Sequence, residues 1–393
     1  MYARKKPTLS KRLLLSILFF FTSLGLLFTA QNSSSFSDWY TAHIYPLLVN
    51  TIGRFFGLFP FSFVEMALYA AILFWIGYLI RSIMSSLRAF LAKRGRFSND
   101  SPDKSVASPC SVSAFWKNLG QNFLLFATSL FLSYTLCCGI NYGHISFSES
   151  AGLEPSPYSA EELTRLCDYL TGKVNHLAPQ MARNDEGVSV MENEEKTCIP
   201  KKAQSAMQNL GTLYPEMEGY YPLPKPLQLS YILSIQNLSG VYSPFTIEAN
   251  YNSDMTDYNQ PFTACHELSH LRGFMQEEEA NFLAFLACIH ADDAQFQYSG
   301  YLLGWLYATN QLYHADYSAY EKICDKLDKQ ALVDLRANDA FWNQYDGRVA
   351  EVTSQVNDSY LKANGQSDGV VSYDRMVDLM MAYDFDSDPQ PPK

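Results

Sequence analysis

Thr263–Cys288 reads TACHELSHLRGFMQEEEANFLAFLAC. Its core, His266-Glu267-Leu268-Ser269-His270, sets two histidines four residues apart. A helix places such residues on one face, one turn apart, so both imidazoles can reach one ion. Glu267 beside them is placed to act as general base on a zinc-activated water. Leu268 and Ser269 are uncharged, as a buried ligand helix requires. Pro261 suits the first helical turn, where its missing N–H has no intrahelical partner to lose. Gly273 is a helix stop, and a turn there brings the next helix back against the first. Catalytic zinc sites use three protein ligands and keep one position open, and two His with one Glu is a common set. Glu277, Glu278 and Glu279 open the second helix. Glu277 has the best spacing for the third ligand, and Asn281, four residues on, faces the same way to hydrogen-bond a ligand histidine. Glu278 is the alternative ligand. Glu279 points about 200° around the helix from Glu277.

The charge of the chain is divided. Residues 1–141 hold 13 Lys/Arg and 4 Asp/Glu, a net +9, and residues 142–393 hold 16 and 36, a net −20. The first part also carries three apolar runs, at about 13–30, 61–80 and 119–140. Each is long enough to be read as a membrane span. Phe28 stands where signal cleavage wants a small residue, so the first run is expected to be an uncleaved anchor. Arg4, Lys5, Lys6, Lys11 and Arg12 precede the first run, and Arg81, Arg88, Lys93, Arg94, Arg96, Lys104 and Lys117 follow the second. Only Arg54 is basic between the first two. The positive-inside rule then puts the N-terminus in the cytoplasm and residues after about 141 outside it, in a multi-pass plasma-membrane protein. The acidic second part excludes nucleic acid as a partner. The bilayer and a peptide or protein substrate are the partners expected.

Between the first two spans, the aromatic and nearly uncharged stretch WYTAHIYPLLVNTIGRFF is read as a helix at the membrane surface. Glu65 near the end of the second span is read as a carboxylate at headgroup level, and residues 95–113 as a polar linker. Ser159 and Glu162 form a capping box that opens a helix to about Leu177. Residues 183–197 read as an acidic surface loop and 200–212 as a helix. Strands are expected at Leu227–Ser234 and Val241–Tyr251. Helices are expected at about 261–272, 277–297, 299–314, 316–330, 333–344, 347–363 and 371–383. The strand that ends at Glu248, Asn250 and Tyr251 is a candidate shelf for extended substrate. Tyr251, Tyr298 and Tyr301 are candidate oxyanion donors. His290, His314 and Cys265 lack ligand spacing and read as packing or surface residues. The cysteines permit disulfides outside the cytoplasm without fixing any pairing.

Glu277-x-x-x-Asn281 resembles the Glu-x-x-x-Asp element of the thermolysin-like gluzincin peptidases, in which the first acid binds zinc and the second supports a ligand histidine. The gap from His270 to Glu277 is shorter than thermolysin's and demands a tight turn. His270-x-x-Gly273 is also similar to the metzincin pattern, but Gln276 stands where that family has its third histidine. More of the chain resembles an uncharacterised bacterial membrane family, a domain of unknown function with an HExxH signature. The resembling segments are Phe59–Ser62, Gly139–Tyr142, Gly240–Thr246, Glu248–Asn250, Pro261–His270, Glu279–Ala284 and Asp374–Leu379. That resemblance implies a membrane-anchored zinc peptidase and names no substrate.

The expected architecture is a membrane anchor of three transmembrane helices over residues 1–141, followed by a mainly α, α+β zincin-like domain with a small sheet over 142–393. The expected function is a zinc-dependent endopeptidase outside the cytoplasm, with Glu267 as base. The competing expectation is a non-catalytic, metal-stabilised sensor or scaffold that binds peptides or envelope components.

Overall fold

A computed structural model describes residues 10–95, 109–366, 369, 375–383 and 385. Most of the linker read at 95–113 lies outside the described residues. So do Arg4, Lys5, Lys6, Arg96 and Lys104, and residues 371–374 of the last expected helix.

In chain order the first half is helical: α1 (Lys11–Asn32), α2 (Ser34–His43), α3 (Tyr45–Leu48), a π-helical turn at Val49–Gly53, α4 (Arg54–Gly57), α5 (Phe63–Gly95) and α6 (Pro109–Cys137). The second half adds α7 (Phe147–Ser150), α8 (Ala160–Leu177), α9 (Asn193–Leu213), β1 (Lys225–Pro226), α10 (Tyr231–Ser234), β2 (Gly240–Ser243) and β3 (Glu248–Tyr251). It closes with α11 (Asn259–Arg272), α12 (Glu277–Ile289), α13 (Ala294–Ala315), α14 (Tyr317–Lys326), α15 (Lys329–Asn343), α16 (Arg348–Ala363) and α17 (Met376–Ala382).

These elements form two units, Met1–Phe28 with Val64–Leu136, and Thr29–Phe63 with Cys137–Lys393. The first consists of α1, α5 and α6. Two helices among the described residues, Lys11–Asn32 and Phe63–Arg88, are long and apolar enough to cross a membrane. The third expected span is helical too, within α6, but Gln121, Asn122, Ser129 and Ser133 dilute its apolar run. Ser10 Oγ donates to Gln121 Oε1 at 2.9 Å, and Trp75 meets Phe123 edge-on. Glu65 accepts the Tyr69 hydroxyl at 2.8 Å.

The second unit crosses the domain boundary read from sequence. The stretch expected at the membrane surface is helical, as α2 to α4, and groups with residues 137–393. Tyr45 is fully buried there, its hydroxyl donating to Leu271 O at 2.8 Å and standing 3.0 Å from the Tyr242 hydroxyl. The core is α11, α12 and α13 packed on one another, with α8 against α13 and α9 against α11. Phe282, Leu283, Phe285 and Leu286 of α12 are fully buried, each stabilising the fold by about 1.5–3 kcal/mol.

The sheet has the order β1-β3-β2, with β1 parallel and β2 antiparallel to β3. Gly240 pairs with Tyr251 and Ser243 with Glu248. Two expectations are corrected. Residues 227–234 form a loop and the short α10, because the Ser230 hydroxyl caps back to Leu227 O and Ser253 instead of feeding a ladder. The run 241–251 is two strands, reversed at Ile247, whose φ of 52° places it in the left-handed region. Elsewhere the capping chemistry holds: Ser159 and Glu162 make the expected capping box. The acidic segment turns back on itself at Asn184–Gly187, pairing Arg183 with Ser189, and a Glu192–Glu195 capping box then starts α9 earlier than expected. The helix expected over 277–297 is broken, because Asp293 accepts from Gln295 and Phe296 and opens α13.

Candidate metal centre

The whole of α11 up to Leu271 is buried, so its histidines face protein. Pro261 lies in its first turn. Gly273 ends it with φ 121°, a value that favours glycine, and its N–H bonds back to His270 O at 3.0 Å. Four residues later α12 begins at Glu277 and returns along α11.

This hairpin brings His266, His270 and Glu277 together, with one donor atom of each within 4.8 Å of the others. Glu277 Oε2 lies 3.2 Å from His266 Nε2 and 3.5 Å from His270 Nε2. Ligands of a tetrahedral ion bound at about 2.05 Å are about 3.3 Å apart. His270 Nδ1 is 2.8 Å from Phe274 O, so that nitrogen carries the proton and Nε2 offers its lone pair to the centre. The imidazole nitrogens are close enough to act on Glu277 but are not aligned to donate, and Oε2 lacks a hydrogen-bond partner, as does Glu267 Oε2. His266, Glu267, His270 and Glu277 are 9, 4, 8 and 8% exposed. Buried polar atoms without partners are rare in folded proteins. Here the Glu277 oxygen converges with the two imidazoles on one point, which fits a divalent ion.

The charges fit the same picture. Burial opposes ionisation of Glu277, but the charge on His270 and the pull of both imidazoles hold its carboxyl well below the usual range. Burial alone would lower His270, and the Glu277 and Glu267 carboxylates more than offset this, raising it to about 9. His266 is lowered by burial and by His270. Burial raises Glu267 to about 8.

The neighbouring acids do other work. Glu278 accepts from Gln366 Nε2 at 2.7 Å, and Glu279 accepts from the Ser148 hydroxyl at 2.7 Å. Neither joins the ligand group. Asn281 faces His266 closely enough to favour its protonated form, though without the alignment of a full hydrogen bond to Nδ1. Its Nδ2 donates to the Tyr307 hydroxyl at 3.4 Å.

A cavity of about 780 Å³ reaches the ligands. Its walls correct the remaining site expectations. Glu248, Asn250 and Tyr251 lie on β3, which is central and wholly buried, and none lines the cavity. Glu248 instead binds Lys225 Nζ and accepts from Phe63 N–H at 3.0 Å. Tyr298 donates to Asp334, and Tyr301 is buried away from the cavity. The tyrosines on the wall are Tyr142, Tyr242, Tyr307 and Tyr360. The strand on the wall is β2, the sheet's edge, and Gly240 lies against the base. A Cβ there would overlap Glu267 Oε1 and come within 2.8 Å of Glu267 Cγ and Thr263 Cγ2. Nothing in the sequence reading assigned Gly240 to the base or pointed to Tyr307, Trp342, Asp346 or Glu351. The other histidines are as expected: His290 meets the Tyr383 hydroxyl, and His314 is exposed. Cys137, Cys138, Cys167, Cys198, Cys265, Cys288 and Cys324 are free thiols, and Cys265 is core.

Residues 40–381 match the model of a family described as a protein of unknown function, DUF3810. The chain belongs to that family. The DUF3810 match spans the segment containing Tyr45, the sheet, and both helices of the metal centre. No curated protein and no solved structure matches the chain.

Proposed function

We propose that this chain is a membrane-anchored, zinc-dependent hydrolase, an endopeptidase that cleaves peptide or protein substrates outside the cytoplasm. One observation carries the reading: His266, His270 and Glu277 converge where a cavity also meets the unpartnered carboxylate of Glu267. These three residues would hold the ion, and two imidazoles with one carboxylate suit zinc. When bound, zinc supplies Lewis acidity for the scissile carbonyl and acidifies water. Glu267 takes the attacking water's proton and returns it to the leaving amine. Burial makes it a strong enough base, and a bound cation would draw it back toward its ionised form. The open edge of β2 pairs with extended substrate beside that base. Tyr307, in contact with Asn281, is the oxyanion donor we assign.

The membrane part of the reading rests on α1 and α5, with α6 as third span, and on the basic residues flanking them. It places the N-terminus and the 81–117 segment in the cytoplasm.

The test uses the full chain in detergent after zinc supplementation. About one zinc per chain is expected, and Glu267→Gln should keep the metal while turnover falls about 10²–10⁴-fold. A metal-free wild type, or unchanged turnover in the variant, would overturn the reading. Zinc without turnover of any peptide would favour a sensor or scaffold.

A further inference from the structure

Four carboxylates line the cavity, Glu267, Glu277, Asp346 and Glu351, and among the described residues no lysine or arginine does. The first two belong to the metal centre. The other two also line the cavity, outside the ligand hairpin. Asp346 precedes α16 and Glu351 is in its first turn. Both are exposed, and no ion pair involves either. Arg348 lies between them in sequence but does not line the cavity. Trp342, four residues before Asp346, lines the cavity too, its Nε1 donating to Asn338 Oδ1 at 3.1 Å.

A cation bound by His266, His270 and Glu277 offsets the charge of the buried carboxylates, and the exposed pair Asp346 and Glu351 stays negative. Glu267 Oε2, buried and without a partner, shows that the cavity's inner end is built to receive a group. A cleft lined by one sign of charge focuses its field and concentrates ligands of the other sign. Carboxylates accept the parallel N–H bonds of a guanidinium, and an indole attracts a cation to its ring. We infer that the wall formed by Trp342, Asp346 and Glu351 binds a basic side chain, so that the substrate is a peptide with Arg or Lys near the scissile bond. The inference rests on the hydrolase reading above and names its substrate class.

The test compares peptides that differ at one position, Arg or Gln, on the full-length, zinc-loaded protein in detergent. The Arg peptide should have about tenfold higher kcat/KM, from two partly exposed charge contacts. Asp346→Asn with Glu351→Gln should abolish that ratio. Asp185→Asn with Glu186→Gln, the same charge change away from the cavity, should leave it intact. Raised salt should shrink it. Equal rates in the wild type, or a ratio that survives the cavity double variant, would overturn the inference. If no peptide is cleaved, the hydrolase reading fails separately. Fluorescence anisotropy with the same two peptides then decides: about tenfold tighter binding of the Arg peptide supports the basic-side-chain wall, and equal binding overturns it.

Discussion

At Gly240 the edge strand and the ligand helix meet without room for a methyl group. Gly240→Ala would therefore push Glu267 off its position while leaving the three ligands alone. Misplacement of a catalytic group by about 1 Å costs on the order of 10²-fold in rate. We expect Gly240→Ala to lose about that much kcat with its zinc content unchanged, checked by steady-state kinetics beside metal analysis. A second residue-scale prediction concerns His144, whose Nε2 lies 2.9 Å from Gly273 O. Burial lowers its pKa below the ordinary 6.5. Below about pH 6.5 the unfolded chain takes up a proton that the native state refuses, so this contribution is intact above 6.5 and lost as pH falls. His144→Gln should flatten the acid side of the stability profile in thermal melts at stepped pH, and an unchanged profile would remove His144 from acid unfolding. The ligands were legible in the sequence because their spacing is local: four residues on one helix, then a glycine turn. Much of the cavity lining was not, because Tyr307 on α13, Trp342 on α15 and Asp346 just after it reach the cavity only through tertiary packing.

Among the elements, helices were the most legible, since a cap such as Ser159 with Glu162 announces itself in a few residues, although the sequence reading ran a helix through Asp293, which in fact opens α13. The sheet was the least. Its strands are two to four residues long, too short for alternation to show, and β3 is buried on both sides by its neighbours. Glu248 therefore looked like an exposed polar residue on an edge, whereas its carboxylate ties β3 to Lys225 of β1 and to the first N–H of α5. Lys225 Nζ also donates to Phe56 O at 2.8 Å. A buried charge left without its partner costs about 3–5 kcal/mol, while an apolar replacement of both is far milder. Lys225→Met should lower the melting temperature sharply, and adding Glu248→Leu should restore most of it. A double variant as unstable as the single would show that the pair does not act as a clamp.

For the whole molecule, the proposed topology is open to protease. Added to intact spheroplasts, protease should digest the part after Cys137 and spare the 81–117 segment; the reverse pattern would invert the proposed sidedness. The chain is also interleaved: α2 to α4 belong to the unit that holds the candidate metal site, yet α5 and α6 are made in between. Tyr45 and the Leu271 carbonyl it bonds are 226 residues apart. During synthesis, then, an early segment must wait for a late one. The scaffold around the histidines closes only after both membrane-length helices and most of the chain have left the ribosome. On the proposed hydrolase reading, a nascent chain would stay inactive until that closure, so translation itself would time the maturation of the site.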